Sequence, residues 1–263
     1  MRPFLTAPAQ HMTTRVCIVT GSSRGLGRAL VERLLVPGST VLAIARQRLT
    51  ALDDLASARG AELLQWPLDL QDAQAAAARL RAWLASLDGT AVDSVTLINN
   101  AAFLNTPGPL DRAEDAALST ALRVGLEAPL LLSAAFLDAT RHWPGKRQVM
   151  NISSGLGRRA MAGSAAYCAI KAGMDHFTRA VALEQAAQAN GARVESVAPG
   201  VIDTDMQQQL RGADAGLFPE RATFALLQSQ GQLASPAAAA AQLLERLQRP
   251  GYGAQAVTDI RSA

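Results

Sequence analysis

Short, almost wholly apolar runs recur along the chain, each followed by a longer stretch in which apolar residues return every three or four positions. "RVCIVT" (15–20), "TVLAIA" (40–45), "ELLQWP" (62–67), "SVTLIN" (94–99), "RQVMNIS" (147–153) and "RVESVA" (193–198) predict strands, with a last short one near 254–259. The intervening pattern predicts helices near 26–35, 49–58, 71–85, 115–141, 165–189 and 236–248. The Ala-rich segments "DAQAAAARL" and "PAAAAAQLLERL" keep helical spacing and fit packed helices. Strands apolar on both faces and separated by helices predict an α/β fold, a central parallel sheet flanked by helices. Right-handed crossovers make it doubly wound, with ligands at the carboxyl ends of the strands.

Without a linker or internal repeat, one domain over 13–263 is expected. Residues 1–12 lack a sustained apolar segment, so neither a signal peptide nor a membrane span is predicted there, and they are read as a disordered extension. Gly125 and Pro129 interrupt the long fourth helix: Pro129 has no N–H for the Gly125 carbonyl, which predicts a kink.

Composition narrows the function. At 263 residues, 49% hydrophobic and 18% charged, the chain is long enough for a continuous core. A formal charge of +3 with scattered arginines argues against a nucleic-acid surface. Cys17 and Cys168 form no disulfide framework, and His11, His142 and His176 lack metal-ligand spacing. His142 and His176 read as packing or capping residues. A reduced cytoplasmic setting fits these counts.

The first strand runs into "TGSSRGLG" (20–27). Glycines at 21, 25 and 27 let a backbone approach a pyrophosphate, and the next helix offers free N–H groups and the positive end of its dipole. The chain's only lysines are Lys146 and Lys171, and Lys171 lies four residues after Tyr167, on the same helix face.

"TGSSRGLG", "NNAA" (99–102), "NISSG" (151–155), "YCAIK" (167–171) and "PGVIDT" (199–204), in that order, resemble the short-chain dehydrogenase/reductase family. The resemblance implies a Rossmann-like domain binding a nicotinamide dinucleotide, with Ser154, Tyr167 and Lys171 as catalytic residues. It also implies cofactor contacts from Gly21, Ser23, Arg24, Gly25, Leu26, Gly27, Arg46, Asp69, Leu70, Asn100, Ala101, Tyr167, Lys171, Pro199, Gly200, Ile202 and Thr204. Asp69 could otherwise simply cap the third helix. Homodimers or homotetramers built on the two long central helices are expected by analogy, as is the absence of membrane and nucleic-acid partners. The C-terminal pattern is similar to the sepiapterin reductase and benzil reductase branch.

No carboxylate stands between Val41 and Arg48 to receive ribose hydroxyls, whereas Arg24 and Arg46 flank the expected adenosine end, favouring NADP(H). Reducing a carbonyl requires a donor toward its oxygen and an acid to protonate it. An ammonium at Lys171 is expected to lower the Tyr167 phenol below its ordinary value of about 10, while Ser154 orients the substrate. The expected substrate is a small ketone, diketone or secondary alcohol, under a lid in 205–236 with Leu217, Phe218, Phe224, Leu226 and Leu227 as candidate covers. Those residues equally suit ordinary helix packing. Arg158 and Arg159 lie near the expected mouth. Gly125 stands where the family commonly has an asparagine, and its carbonyl is expected either to hold a water in that role or to allow a close contact. An NAD-dependent alcohol dehydrogenase and a non-catalytic dinucleotide-binding regulator stay open as alternatives.

Overall fold

A computed structural model describes residues 14–262, so the expected extension over 1–12 lies outside the described residues. The strands are β1 (Arg15–Thr20), β2 (Ser39–Ala45), β3 (Glu62–Pro67), β4 (Ser94–Asn99), β5 (Lys146–Ile152), β6 (Arg193–Ala198) and β7 (Val257–Asp259). They form one sheet in the order β3-β2-β1-β4-β5-β6-β7, with every neighbouring pair parallel. The order reverses beside β1, so the carboxyl ends of β1 and β4 open a crevice where a ligand can lie.

The helices are α1 (Gly25–Leu34), α2 (Thr50–Arg59), α3 (Ala73–Ala85), α4 (Asp115–Leu122), α5 (Ala128–Ala139), α6 (Ala165–Ala186), α7 (Asp205–Arg211), α8 (Arg221–Ser229) and α9 (Pro236–Gln248). One face of the sheet packs Ile18, Leu42, Leu97 and Val149 against Leu80, Leu132 and Phe136 of α3 and α5. The other packs Val19, Val41, Ile98 and Met150 against Leu30 of α1 and Leu243 of α9. Both faces are therefore dry, which is why the strands carry little alternation of apolar and polar residues.

The predicted long helix over 115–141 is two helices joined by a π-turn at Arg123–Glu127, where the Ala128 N–H donates to the Arg123 carbonyl. A Cβ on Gly125 would lie 2.8 Å from Cγ2 of Ile170 on α6. The close-contact reading of this glycine thus has a named partner, and the interruption falls where Gly125 and Pro129 predicted it. Two elements escaped prediction: α7 and α8 fold within the stretch after β6 that looked irregular. The predicted strand near 254–259 shrinks to β7, because a turn including Gly253 (φ +78°) precedes it.

Candidate active site

The glycine turn sits between β1 and α1. Gly21 has φ +69° and Gly25 φ +52°, the left-handed region where a side chain is strained. A Cβ on Gly27 would lie 2.1 Å from the Gly21 carbonyl oxygen, so only glycine fits there. Thr20 ties this turn to the end of β4: its Oγ1 accepts from the N–H groups of Asn100 and Ala101, at 3.0 Å each. Asn100 Nδ2 returns the link, donating to the Thr20 carbonyl at 2.9 Å.

Helix α1 has no side-chain cap and no acidic residue in its first turn. Its N-terminal amides and dipole are left for an anion, so the turn fits the pyrophosphate of a dinucleotide.

A single cavity of about 380 Å³ lies over this turn. Its walls include Gly21, Arg24, Gly25, Leu26 and Gly27 from the turn, Asn100 and Ala101 after β4, and Pro199, Gly200, Ile202 and Thr204 after β6. Ser154, Tyr167 and Lys171 line the same cavity. Four of the expected cofactor contacts do not border it: Ser23, Arg46, Asp69 and Leu70. Leu70 is buried in the core beneath α3. Asp69 is exposed and accepts from the Gln71 N–H at 3.0 Å, while the cap of α3 is Asp72, whose carboxylate accepts from the Ala75 N–H. Arg46 is exposed at the end of β2, with no ion pair among the described residues. Arg24 pairs with Asp205 at 2.8 Å.

The expectation of an acidified phenol is overturned. The hydroxyl end of Tyr167 is desolvated, which pushes its pKa up to about 12, and a hydrogen bond with Ser154 pulls back only part of that rise. Lys171 Nζ donates to the Ile152 carbonyl at 2.7 Å and stands over the Tyr167 ring, 5.6 Å from its centre. Burial pushes the Lys171 ammonium down to about 8, against the opposing pull of the Asp175 carboxylate one turn on. Four-residue spacing put the pair on one face, as expected, but burial sets the direction of the shift at each of them.

The far wall of the cavity is built from Leu104, Leu156, Met161, Met206, Gln207, Leu210 and Phe224. Of the five predicted lid residues only Phe224 borders the cavity. Phe218 is fully buried and stacks on Phe224 with ring centres 5.8 Å apart. Leu227 packs onto the same cluster, Leu226 is exposed, and Leu217 sits beside Gly108. The sequence reading missed Met206, Gln207 and Leu210, because their helix α7 is too short to reveal a period.

Arg159 borders the cavity, whereas Arg158 turns away to Asp175 at 3.0 Å. Arg261, near the C-terminus, also borders it. His142 and His176 are both exposed rather than packed, and neither lines the cavity.

The fold and the crevice are those of a nicotinamide-dependent oxidoreductase, and the comparisons agree. The family model for short chain dehydrogenase matches residues 15–215, and the chain belongs to that family, whose members act on a carbonyl or alcohol. It is 35% identical over 222 residues to benzil reductase ((S)-benzoin forming) of Bacillus cereus, covering 84% of this chain and 89% of that protein. It is 34% identical over 264 residues to sepiapterin reductase of Mus musculus, covering 96% and 98%. Among solved structures, a metagenomic short-chain oxidoreductase in complex with NADP superposes with a TM-score of 0.63 at 34% identity, covering 73% of this chain and 84% of that one.

Proposed function

We propose that this protein is an NADPH-dependent carbonyl reductase that converts a ketone or diketone to the alcohol, with Tyr167 as the general acid. The observation that carries the reading is the convergence of Ser154, Tyr167 and Lys171 on the cavity that also holds the glycine turn. A reduced nicotinamide dinucleotide, its pyrophosphate held by that turn, would supply the hydride.

The Ser154 hydroxyl hydrogen-bonds the substrate oxygen and orients it toward the phenol. Tyr167 then gives its proton to that oxygen as negative charge develops there. A pKa of about 12 suits this direction, since the acid stays protonated throughout the neutral range. Lys171 remains cationic below about 8 and stabilises the phenolate left behind. Its compact ammonium can also reach a ribose hydroxyl, which a broad guanidinium does poorly.

The NADP preference rests on Arg24 and Arg46. The Arg24–Asp205 pair is exposed on both sides, 68% and 61%, and such pairs are worth about 0–1 kcal/mol. A 2′-phosphate with two negative charges can therefore displace Asp205 from Arg24. The relative solved with NADP supports the same choice. Apolar walls, together with the benzil reductase and sepiapterin reductase relatives, favour an aryl or alkyl diketone or a pterin side-chain ketone. Exposed Leu122, Leu130 and Leu183 on α4, α5 and α6 favour a homodimer or homotetramer through those helices. A cytoplasmic location is part of the same proposal.

The test is an NADPH-oxidation screen across diketones, pterins, quinones and simple ketones, with Tyr167→Phe as control. Turnover with NADPH well above NADH supports the reading. Preference for NADH would favour the alcohol-dehydrogenase alternative, and tight binding without turnover on the whole panel would favour a regulator.

A further inference from the structure

A second cavity, open and of about 350 Å³, lies along β7, the last strand of the sheet. Its walls carry three guanidinium groups, from Arg158 just after the Ser154 turn, Arg179 on α6 and Arg246 on α9, together with Gln255, Thr258 and Asp259. None of its residues borders the active-site cavity.

Two of the three arginines are fixed by acidic partners. Arg158 Nε donates to Asp175 Oδ2 at 3.0 Å, and its Nη2 donates to the Thr258 carbonyl at 2.9 Å. The Arg246 side chain is only 13% exposed, and its Nε donates to the fully buried carboxylate of Glu195. A guanidinium has five N–H donors, and buried donors are normally paired. Yet Nη1 and Nη2 of Arg246 and Nη1 of Arg158 have no partner among the described residues. Arg179 is exposed and makes no hydrogen bond or ion pair among those residues. The carboxylate in the wall is already taken, since Asp259 is held by both Nε and Nη2 of Arg261, at 2.9 and 2.7 Å. Matching Arg158, Arg246 and Arg261 with Asp175, Glu195 and Asp259 leaves the charge of Arg179 unmatched.

We propose that this cavity is a ligand site separate from the active site, taking a small oxyanion, a carboxylate or a phosphate group, on the free N–H groups of Arg158, Arg179 and Arg246. Guanidinium forks match the paired oxygens of either group and hold them by charge-assisted hydrogen bonds. Arg158 and Arg246 are ordered in advance by their acidic partners, so binding has few side chains left to immobilise. The anion supplies the charge that Arg179 lacks. A cation would meet three like charges, and a neutral molecule would leave Arg179 uncompensated.

The test is isothermal titration calorimetry of the full chain with inorganic phosphate and, separately, with citrate, at an ionic strength held constant with sodium chloride. Wild type is compared with Arg179→Gln and Arg179→Glu, whose exposed position should leave the melting temperature unchanged. Arg24→Ala is the control for an anion at the glycine turn. The expected result is saturable binding of one or both anions that survives Arg24→Ala, weakens by about tenfold in Arg179→Gln and weakens further in Arg179→Glu. Tighter binding of phosphate assigns the site to a phosphate group, and tighter binding of citrate to a carboxylate. Absence of saturable binding for both anions, or binding that the Arg179 variants leave unchanged, would overturn the site. Neither result depends on carbonyl reduction, which the activity screen tests separately.

Discussion

The two halves of the cavity are built differently. The dinucleotide half is made of backbone: a turn with two positive-φ glycines, the uncapped start of α1, and strand ends cross-tied by Thr20 and Asn100. The substrate half is made of side chains on the short helices α7 and α8, packed around Phe218 and Phe224 and latched by single hydrogen bonds such as Gln209 to Leu104. The first half recognises groups common to every dinucleotide and tolerates little substitution. The second can change its walls residue by residue. Substrate choice can therefore vary while cofactor chemistry stays fixed.

That contrast can be broken first at the boundary, at Lys171. Lys171→Met should reduce carbonyl reduction by at least about a hundredfold. It should also stabilise the fold at neutral pH. Burial disfavours the Lys171 cation, so it opposes folding below about pH 8, and the penalty fades as pH rises from there toward the ordinary lysine value, the window in which the folded state binds fewer protons than the unfolded. Thermal melts beside activity assays check both signs. Loss of activity together with loss of stability would contradict the account.

In the dinucleotide half, Arg24→Ala combined with Arg46→Ala should raise KM for NADPH by about tenfold to a hundredfold and leave KM for NADH little changed, since only the 2′-phosphate distinguishes the two. Steady-state kinetics with each cofactor measure it. Equal losses would mean that neither arginine reads that phosphate.

Between the halves, Gly125→Asn should destabilise by about 1–3 kcal/mol, because its side chain would begin where Ile170 already sits. Combining it with Ile170→Ala should give a coupling of about 1 kcal/mol or more in a double-mutant cycle. Additive effects would show that the contact is not what selects glycine.

The smallest expected effect is on pH dependence. Reduction should hold steady below about 8 and fall above it, as Lys171 loses its proton. Asp175 raises the Lys171 pKa, so Asp175→Asn should move the falling limb to lower pH, by roughly half a unit or more. A limb that stays put would detach it from Lys171.

The same division decides what was legible from the residues alone. Strand positions, the glycine turn and the shared helix face of Tyr167 and Lys171 could be read because each follows from a local rule: apolar runs for two-sided strands, glycine where φ is positive, four-residue spacing for one helix face. The wall of the substrate half could not, since a seven-residue helix offers too few positions to show a period. Arg158 and Arg159 are neighbours in sequence, yet an ion pair to Asp175 turns one away from the cavity that the other borders. The acidity of Tyr167 was misjudged for a related reason. Spacing located its cation, but desolvation by surrounding elements, which no local pattern encodes, decided the direction of the shift.

The most direct test of the central claim is single-turnover reduction of 1-phenyl-1,2-propanedione by wild type and Tyr167→Phe, each saturated with NADPH. The account predicts that the phenylalanine variant binds NADPH normally and oxidises it more slowly by about a hundredfold or more. Oxidation within a few-fold of wild type would contradict it, since the proton would then come from another group.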